Sequence, residues 1–556
     1  MDRRIFPDTA PRVLPLVDPG LPHIAVVGAG LSGLRAAYEL IKAGARVTLY
    51  EAASSPGGNA WLETHGHLEF PTAGSCFRFP APGSDTDTLL REIGLRDSCH
   101  STTRSMQVLF RTSALVRSLP TITLACLKHP RSLLDPKLWG LTAKLCLASL
   151  TNQPLVKADK SLGDPIFHDL YTFLDRLAPD GGSYPALPWT ESCGISREDM
   201  ERLDRLSIEQ FLFDPAARQT LPRHLQPPAK IGALARTVIT TTLAVEGLLL
   251  SNCSAYVGLH FLVGYLRGDL FSCRGGNGAV ARRLLEHLSQ TPRFTLHLEA
   301  AVSEVSQNER RYSLCVNEGG QDRIFAFDGV VVATPKDVAM QIVQGLPVGQ
   351  LSAMREIEYS DYAIVNAELS QPIWTETFGG YFIGDTAPRA QPGSYCQAGG
   401  IVNASWSALG AQTERGGLTF LKPVPQRADQ GRLANDPPAQ LRQAAEAEVR
   451  RALRAIGVEE TLLEMVWLHR WPRGLVSPRP GQVARDLFKQ ASQPLGAITF
   501  ANQDSVGVGA LESAMEAGRQ AAQYLITHLA IPPQRAERAG STRVYKETPQ
   551  DVYTPA

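Results

Sequence analysis

The residues with the clearest chemistry near the start of the chain are three glycines and one glutamate. Gly28, Gly30 and Gly33 have the spacing G-x-G-x-x-G. In this pattern the first glycine allows a tight turn, the second lets the backbone approach a pyrophosphate, and the third lets a helix pack closely on a strand. Glu51 follows at the distance at which an acid hydrogen-bonds the hydroxyls of an adenosine ribose, and its charge would repel a 2′-phosphate. The sequence therefore predicts a dinucleotide site with the following members: Gly28, Ala29, Gly30, Leu31, Ser32, Gly33, Glu51 and Ala52.

A strand, a helix and a second strand must position these residues. The short apolar run His23–Val27 stops at a glycine and is typical of a buried parallel strand. A helix is predicted over Leu31–Ala43, with Gly44 as its left-handed C-cap. A second strand over Arg46–Tyr50 then delivers Glu51 at its carboxyl end. A tight strand-to-helix turn in another α/β fold would account for the glycines, but it would leave Glu51 unexplained.

Length and charge limit the classes of function. At 556 residues the chain exceeds a single hydrophobic core, so two domains are expected. The 55 basic and 55 acidic residues balance, which gives no electrostatic reason for binding nucleic acid or an anionic membrane. We therefore expect a small-molecule substrate and no nucleic-acid partner.

The cysteines, one group of histidines and the N-terminal arm indicate the cellular compartment and whether a metal site is expected. The nine cysteines are scattered without a C-x-x-C pair or a metal-ligand spacing, and we expect small buried hydrophobic residues in a reducing compartment. His65, His67 and Glu69 could share one face of a strand, but no further ligand cluster lies nearby in sequence, so no metal site is expected. The arm Met1–Gly20 has no apolar signal-peptide core, which predicts a cytoplasmic protein.

The most apolar stretch of the chain is Ile231–Leu266. Glu246 and the polar segment 252–254 interrupt it, so it falls below the roughly 20 apolar residues that a transmembrane helix requires. No transmembrane segment is predicted. The stretch is interpreted either as a pair of core helices or as helices with one face lining an apolar substrate tunnel.

A second glycine-bearing turn, Gly57, Gly58 and Asn59, follows Glu51. Adjacent glycines offer backbone N–H groups to a phosphate or a flavin. At this point the chain resembles the flavin amine oxidase and phytoene desaturase superfamily, although Ser55 and Asn59 stand where members usually have arginines beside the glycine pair. The resemblance implies that FAD, bound non-covalently, lies near this turn and near the following small-residue segment: Thr72, Ala73, Gly74 and Ser75.

Two later segments extend the resemblance. Phe327–Pro335 is similar to the family's D-x-V-V-x-A-x-P strand, and its apolar run fits a central parallel strand with ligands at its carboxyl end. The strand Ile498–Ala501, the polar residues after it and the helix Leu511–Leu529 are similar to the family's C-terminal nucleotide element. This similarity implies that Asp504 lies near the ribityl-pyrophosphate and that the helix N-terminus points N–H groups at flavin O2. The cofactor residues implied here are Val302, Ala333, Thr334, Asn502, Asp504, Leu511, Glu512 and Ala514.

The implied fold is α/β, with a discontinuous Rossmann-like FAD-binding domain of the GR2 type and an inserted α+β substrate domain. The expected division is an N-terminal arm at 1–20, the FAD-binding domain at 21–84, 271–345 and 485–530, the substrate domain at 85–270 and 346–484, and a flexible tail at 531–556.

Four local patterns give separate predictions. Ser207, with Gln210 three residues later, predicts a capped helix start. The Ala-, Arg- and Glu-rich stretch Pro438–Ile456 predicts a helix, and a shorter one is predicted over Ala281–Leu288. The stretch Glu414–Asp436 is polar and bears Gly and Pro, which predicts a surface loop.

Tyr362 and Trp471 are the catalytic candidates. Tyr359, Tyr362 and Asn366 form a Y-x-x-Y-x-I-x-N pattern that resembles bacterial spermidine dehydrogenases. An ungapped match places Ile364 where monoamine oxidases have a lysine near flavin N5, which implies that lysine-assisted reoxidation is absent. Trp471 begins a segment similar to the family's W-P-x-G region, where an aromatic ring faces the substrate, and the proline and glycine predict a loop. As alternatives, Tyr362 is an ordinary cross-strand aromatic and Trp471 belongs to the core.

The resemblance implies an FAD-dependent oxidoreductase that transfers a hydride from a substrate carbon to flavin N5. The spermidine-dehydrogenase-like segment and the W-P-x-G region favour the C–N bond of an amine, and the apolar stretch favours an apolar portion on it. C–C desaturation or redox-neutral isomerisation of a hydrophobic substrate is the alternative, and a flavoprotein without turnover is a more distant one. The oligomeric state is open, a homodimer being one option.

Overall fold

The computed structural model describes residues 20–65, 68–74, 77–78, 83–101, 106–110, 114–115, 173, 185–229, 231, 233–267, 270–273, 275–308, 311–373, 379–383, 399–404, 414–424, 432–455 and 458–531. Ser75, one of the predicted cofactor residues, lies outside these ranges, as do residues 1–19 of the predicted arm and 532–556 of the predicted tail.

The described strands are, in chain order, β1 (His23–Val27), β2 (Arg46–Tyr50), β3 (Leu62–His65), β4 (Leu68–Pro71), β5 (Phe77–Arg78), β6 (Cys99–Ser101), β7 (Met106–Phe110), β8 (Ala114–Leu115), β9 (Leu270–Cys273), β10 (Phe294–His297), β11 (Ala300–Asn308), β12 (Arg311–Glu318), β13 (Gln321–Phe327), β14 (Gly329–Val332), β15 (Tyr359–Leu369), β16 (Gly379–Ile383), β17 (Gly400–Asn403), β18 (Gly416–Val424), β19 (Leu463–Val476) and β20 (Ile498–Phe500).

The described α-helices are α1 (Leu31–Ala43), α2 (Asp85–Glu92), α3 (Arg197–Asp204), α4 (Ile208–Phe213), α5 (Pro215–Gln219), α6 (Ala233–Val245), α7 (Ala255–Arg267), α8 (Gly276–Ser289), α9 (Lys336–Ile342), α10 (Val348–Glu356), α11 (Arg432–Asn435), α12 (Pro438–Ala455), α13 (Leu487–Ala491) and α14 (Leu511–His528).

A five-stranded parallel sheet with the order β10-β2-β1-β14-β20 forms the half of the fold that carries the predicted dinucleotide turn, here called the nucleotide half. Its strands are short and apolar, and β14 is buried throughout. Helix α1 packs against both α8 and α14, and these helices share one hydrophobic core with the sheet. The strands come from three distant parts of the sequence, and the carboxyl ends of β1, β14 and β20 meet at one edge, where parallel sheets hold ligands. This arrangement confirms the α/β fold with a Rossmann-like sheet.

A seven-stranded sheet with the order β19-β15-β18-β17-β16-β7-β8 forms the second large layer. Strand β15 is buried along its whole length because β18 and β19 flank it. Helix α12 covers this sheet by packing Ala445, Val449 and Leu453 against Val365 and Phe420. Two further sheets have three strands each, in the orders β11-β12-β13 and β5-β9-β6.

Several sequence predictions agree with these bounds. Strands β1 and β2 and helix α1 have the predicted ends, and Gly44 caps α1 with φ 104°. Ser207 and Gln210 form the predicted capping box of α4. The helices predicted near Pro438 and Leu511 also form, as α12 and α14, whereas α8 begins at Gly276, five residues before its predicted start.

Two predicted loops are wrong. Within Glu414–Asp436 the chain forms β18, an interior strand that is almost fully buried between β15 and β17. The predicted loop at Trp471 is part of the long strand β19. In both places Gly and Pro indicated a loop, but pairing with the long strand β15 holds these segments extended.

The apolar stretch near residue 250 forms the helix pair α6 and α7. Leu243, Tyr256, Val257 and Leu259 are buried in the main hydrophobic core, which agrees with the interpretation as core helices. Among the described residues, no helix has both the length and the apolar character needed to cross a bilayer.

Candidate active site

The three glycines of the first turn meet three different requirements. Gly28 has φ 103°, a conformation that favours glycine, and its N–H donates to the Tyr50 carbonyl at 2.8 Å. A Cβ on Gly33 would lie 1.9 Å from the carbonyl oxygen of Gly28, so helix α1 can approach the turn only without a side chain there. A Cβ on Gly30 would meet nothing within 4 Å, which means that this position faces open space. The turn therefore leaves room for a ligand at Gly30 alone of the three.

Glu51 fixes the turn from the end of β2. Its Oε2 accepts the N–H of Ala29 at 2.7 Å, and its Oε1 accepts the N–H of Ala53 at 2.9 Å. Each carboxylate oxygen has a second lone pair, so these bonds leave acceptor capacity for ribose hydroxyls. Glu51 thus fixes the shape of the turn and lines a cavity with acceptor capacity left for a ligand.

The second glycine turn packs directly on the first. The Gly57 N–H donates to the Ala29 carbonyl at 2.7 Å, and a Cβ on Gly58 would lie 3.3 Å from the Gly30 Cα. The Asn59 side-chain amide donates to the Gly474 carbonyl on β19 at 3.0 Å. Through Asn59 the nucleotide half of the fold is tied to the seven-stranded sheet.

Helix α14, near the C-terminal end of the chain, begins beside the two glycine turns. Its N-cap, Ala510, provides no side-chain cap, and the N-cap of α1, Gly30, provides none either. The first N–H groups of each helix therefore lack the usual side-chain acceptor, and helix N-termini favour negative charge.

One cavity of about 800 Å³ joins these features. The sequence-predicted residues that line it are Gly28, Gly30, Leu31, Ser32, Glu51, Ala52, Gly57, Gly58, Asn59, Ala73, Gly74, Val302, Ala333, Thr334, Tyr362, Trp471, Asn502, Leu511, Glu512 and Ala514. Ala29, Gly33, Thr72 and Asp504 are described but do not line it. Ala29 and Gly33 belong to the first glycine turn, where the Ala29 N–H donates to Glu51 and Gly33 packs against the Gly28 carbonyl. The Thr72 carbonyl accepts the Trp471 indole N–H.

Asp504 does not line the cavity, and its predicted contact with the ribityl-pyrophosphate stays a prediction. Its carboxylate is fully buried and pairs with the Lys336 ammonium at 2.6 Å. The same carboxylate accepts the Tyr359 hydroxyl at 2.6 Å and the Lys336 backbone N–H at 2.8 Å. Burial and the nearby Asp504 charge raise the pKa of Tyr359 above its ordinary value, so this hydroxyl stays protonated and donates. Asp504 therefore fixes the carboxyl ends of β14 and β20 from behind the cavity wall.

Tyr362 and Trp471 face each other across β15 and β19 and both line the cavity. The Tyr362 hydroxyl donates to the Val245 carbonyl at 2.9 Å, and the Trp471 indole N–H donates to the Thr72 carbonyl at 2.6 Å. These bonds hold both rings in place as walls, and the interpretation of Tyr362 as a cross-strand aromatic also holds. Ile364 is fully buried, and it is not among the cavity-lining residues.

Sequence reasoning missed several lining residues. They come from α6 and the turn after it, α7, β18 and the loop before α3, and they are Leu187, Val245, Glu246, His260, Phe261 and Leu421. Of these, only the apolar stretch that contains α6 and α7 gave a signal. Arg473 also lines the cavity, has φ 56° and pairs with Asp337.

The residues present fit FAD. The cavity connects the pyrophosphate turn, the ribose acid and two helix N-termini without side-chain caps. The Thr334 hydroxyl oxygen in its wall is buried and has no hydrogen-bond partner among the described residues, as expected of a group that a ligand satisfies. Fold and site together define a flavoprotein that binds FAD between distant segments of one chain.

Comparison with known proteins identifies the family. Residues 31–526 match the model of the flavin-containing amine oxidoreductases, and the chain belongs to this family. FAD is accordingly its cofactor, and it is an oxidoreductase. The chain is 40% identical over 519 residues to oxidoreductase PigB of a Serratia strain, covering 93% of this chain and 77% of that protein.

Solved structures agree on the fold. Putrescine oxidase bound to putrescine is 19% identical with a TM-score of 0.60, covering 91% of this chain and 99% of that one. Cyclohexylamine oxidase from Brevibacterium oxydans is 17% identical with a TM-score of 0.60, covering 92% and 99%. At these identities the likeness concerns the fold.

Proposed function

We propose that this protein dehydrogenates the C–N bond of a small amine that carries an apolar portion. The observation that carries the proposal is Glu246, a half-buried acidic residue that lines the cavity together with Leu187, Val245, His260, Phe261 and Leu421. A carboxylate in such surroundings favours a cationic group, and the apolar side chains favour a hydrocarbon portion.

The aromatic pair supports the same substrate class. Tyr362 and Trp471 line the cavity with their polar atoms already bonded to backbone carbonyls. Aromatic ring faces attract ammonium groups by about 0.5–2 kcal/mol, and they exclude water. These rings therefore act on binding and orientation, and no proton transfer is assigned to them.

FAD held by the two glycine turns, Glu51 and the start of α14 would supply the redox chemistry as the acceptor of a hydride from the substrate carbon. The chain contributes an electrostatic environment at the other end of the site. Leu511, Glu512 and Ser513 in the first turn of α14 line the cavity, and a helix N-terminus favours negative charge beside it. Gly474 is held by Asn59 and by Gln503, at 3.0 and 2.8 Å, which fixes β19 against the cofactor turns.

The test is anaerobic mixing of holoprotein with butylamine, octylamine and putrescine while the flavin absorbance is followed. We expect bleaching by the amines, strongest with the longer alkyl chain. Glu246→Gln should weaken the apparent affinity for the amine about tenfold or more, which corresponds to a loss of about 1.4 kcal/mol of binding free energy. The limiting rate of bleaching should be less affected. Glu209→Gln is the control, because Glu209 lies outside the cavity and pairs with Arg236 at 2.7 Å. The flavin of this variant should bleach like that of the wild type.

C–C desaturation is the second candidate, since the helices α6 and α7 contribute apolar residues to the cavity. A desaturase would be bleached by a neutral hydrophobic substrate and would be indifferent to Glu246→Gln. Product without net bleaching would indicate an isomerase, and neither bleaching nor product would indicate a binding role. Each of these three outcomes contradicts amine dehydrogenation.

A further inference from the structure

Two cysteines that lie 174 residues apart in sequence meet outside the cavity. Cys99 on β6 and Cys273 on β9 are directly opposed in an antiparallel pair, and their sulfur atoms are 2.9 Å apart. Cys273 is fully buried, whereas Cys99 is half-buried. The contact is therefore reachable from one side only, through Cys99.

The strand geometry suits a covalent link. Directly opposed residues in an antiparallel pair have Cα atoms about 4.5 or 5.5 Å apart, and disulfides span Cα distances of about 4.4–6.8 Å. Strand β9 is also paired with β5 on its other side, so the sheet holds Cys273 in position. Closure would need only a small movement of the two side chains.

The surroundings make Cys99 the more acidic thiol. Either thiol can be the donor in the contact between the two sulfur atoms, and the Cys99 thiol also donates to the Leu95 carbonyl at 3.3 Å. With Cys273 as the donor the contact lowers the pKa of Cys99, and the Arg96 guanidinium acts in the same direction. Burial and the carboxylates of Asp87 and Asp97 oppose this effect. The bond to Cys99 and burial raise the pKa of Cys273, so this residue keeps its proton while Cys99 is the nucleophile.

We propose that Cys99 and Cys273 form a dithiol site that a hydroperoxide oxidises to a reversible disulfide. The Cys99 thiolate attacks one peroxide oxygen, the O–O bond breaks, and hydroxide leaves. Cys99 is then a sulfenic acid. The departing hydroxide takes the Cys273 proton and becomes the first water. The Cys273 thiolate then attacks the Cys99 sulfur, forming the S–S bond and releasing hydroxide, which takes up the proton that Cys99 lost and becomes the second water. Two thiols and one hydrogen peroxide give one disulfide and two waters, so the sulfurs lose two electrons and the peroxide gains two.

The link would lie close to the cavity wall. Strand β9 ends at Cys273, and helix α8 begins at Gly276 and brings Asn277 into that wall. A Cβ on Gly74, another lining residue, would lie 3.3 Å from the Asn277 amide nitrogen. A disulfide at this position fixes β6 to the strand that leads into the wall.

The experiment uses the full-length holoprotein. It is incubated with and without hydrogen peroxide, unfolded in urea, alkylated there with N-ethylmaleimide and digested without reductant, and its peptides are weighed by mass spectrometry. We expect a linked peptide pair containing Cys99 and Cys273, together with the loss of two alkylated sites, and dithiothreitol should restore both sites.

Two variants control the result. Cys99→Ser, at a half-buried position, should remove the linked pair, whereas Cys193→Ser at another half-buried cysteine should keep it. Alkylation of both residues after peroxide would overturn the proposal. So would sulfinic acid at Cys99 as the end product, or a bond from either residue to Cys76, Cys126, Cys146 or Cys396, which lie outside the described residues.

Discussion

At the scale of single residues, two glycines of the first turn differ in the space around them, so one matters for cofactor binding and the other for folding. Gly30 has φ −67° and ψ 174°, an extended backbone that any residue adopts, and a Cβ there points into open space. Gly33 has no such room, because a Cβ would overlap the Gly28 carbonyl oxygen at 1.9 Å. The sequence pattern assigned ligand approach to Gly30 and helix packing to Gly33, and the space around each position agrees with that assignment.

Gly30→Val should therefore fold and fail to bind FAD, since its side chain occupies the approach of the pyrophosphate. Gly33→Ala should lose stability by several kcal/mol, in the range of severe core substitutions of about 4–5 kcal/mol. Flavin content after purification and urea unfolding of the apoproteins measure the two effects. A yellow, stoichiometrically loaded Gly30→Val protein would contradict this account, as would a Gly33→Ala protein of wild-type stability.

His23 gives a prediction for pH dependence. Its Nδ1 lies 2.8 Å from the Arg46 guanidinium, and its Nε2 lies 2.9 Å from the Thr48 hydroxyl. Burial and the Arg46 charge lower the pKa of His23 to about 4 from 6.5. Since the unfolded chain takes up a proton near pH 6.5 and the folded chain does not until about pH 4, the folded state loses stability as the pH falls across this window.

His23→Asn keeps hydrogen-bonding groups and removes the titration. Its free energy of unfolding should fall less steeply than that of the wild type between pH 6.5 and 4, by roughly 1–2 kcal/mol after allowance for solvent screening of this half-exposed ring. Urea unfolding at three pH values measures the difference. Parallel curves for the two proteins would show that His23 does not titrate in this way.

At the scale of elements, local sequence patterns were sufficient to predict a helix where its cap or its apolar stripe is encoded within the segment itself. Helix α1 ends at Gly44, and α12 carries its own apolar stripe. Strand β18 was missed because Gly416, Gly417 and Pro423 have the composition of a loop, and only the flanking strands make this segment a buried strand. The Asp504–Lys336 pair was missed for a similar reason, since 168 residues separate the partners.

That pair makes a prediction about the elements that it joins. Lys336 begins α9 after β14, Tyr359 begins β15, and Asp504 follows β20. Removing one partner leaves a buried charge uncompensated, so Lys336→Met should destabilise the fold by about 3–5 kcal/mol. Lys336→Met combined with Asp504→Asn should recover at least half of this loss, because the amide oxygen can still accept the Tyr359 hydroxyl.

The matched control is the exposed pair Lys42–Glu92, with a nitrogen–oxygen distance of 2.8 Å. Lys42→Met should change the free energy of unfolding by no more than about 1 kcal/mol. Chemical denaturation of all the variants provides the comparison. A Lys336→Met protein as stable as Lys42→Met, or a double variant less stable than Lys336→Met alone, would refute the role of the buried pair.

At the scale of the whole molecule, the cavity that fits the cofactor is lined by segments from both ends of the chain. Residues near Gly28, Val302, Thr334 and Leu511 line the same cavity. A ligand held by several segments stabilises the folded state by mass action, by about 2.7 kcal/mol when its concentration is 100 times Kd. The sequence predicted the two glycine turns and the C-terminal helix, because each has a local pattern, whereas the substrate walls come from segments without one.

Glu51 tests this coupling between cofactor and global stability. Its carboxylate accepts the Ala29 and Ala53 N–H groups and lines the cavity, so Glu51→Ala loosens the turn and removes the ribose acceptor together. We expect Kd for FAD to rise about 10- to 100-fold, or about 1.4–2.7 kcal/mol, and Glu51→Gln to fall between this variant and the wild type. Added FAD should then raise the melting temperature of Glu51→Ala only at correspondingly higher concentrations. Glu63→Ala, which removes a carboxylate outside the cavity on β3, should follow the wild-type curve. Identical FAD titrations for Glu51→Ala and the wild type would mean that the acid at the end of β2 serves the turn alone and contributes nothing to holding the cofactor.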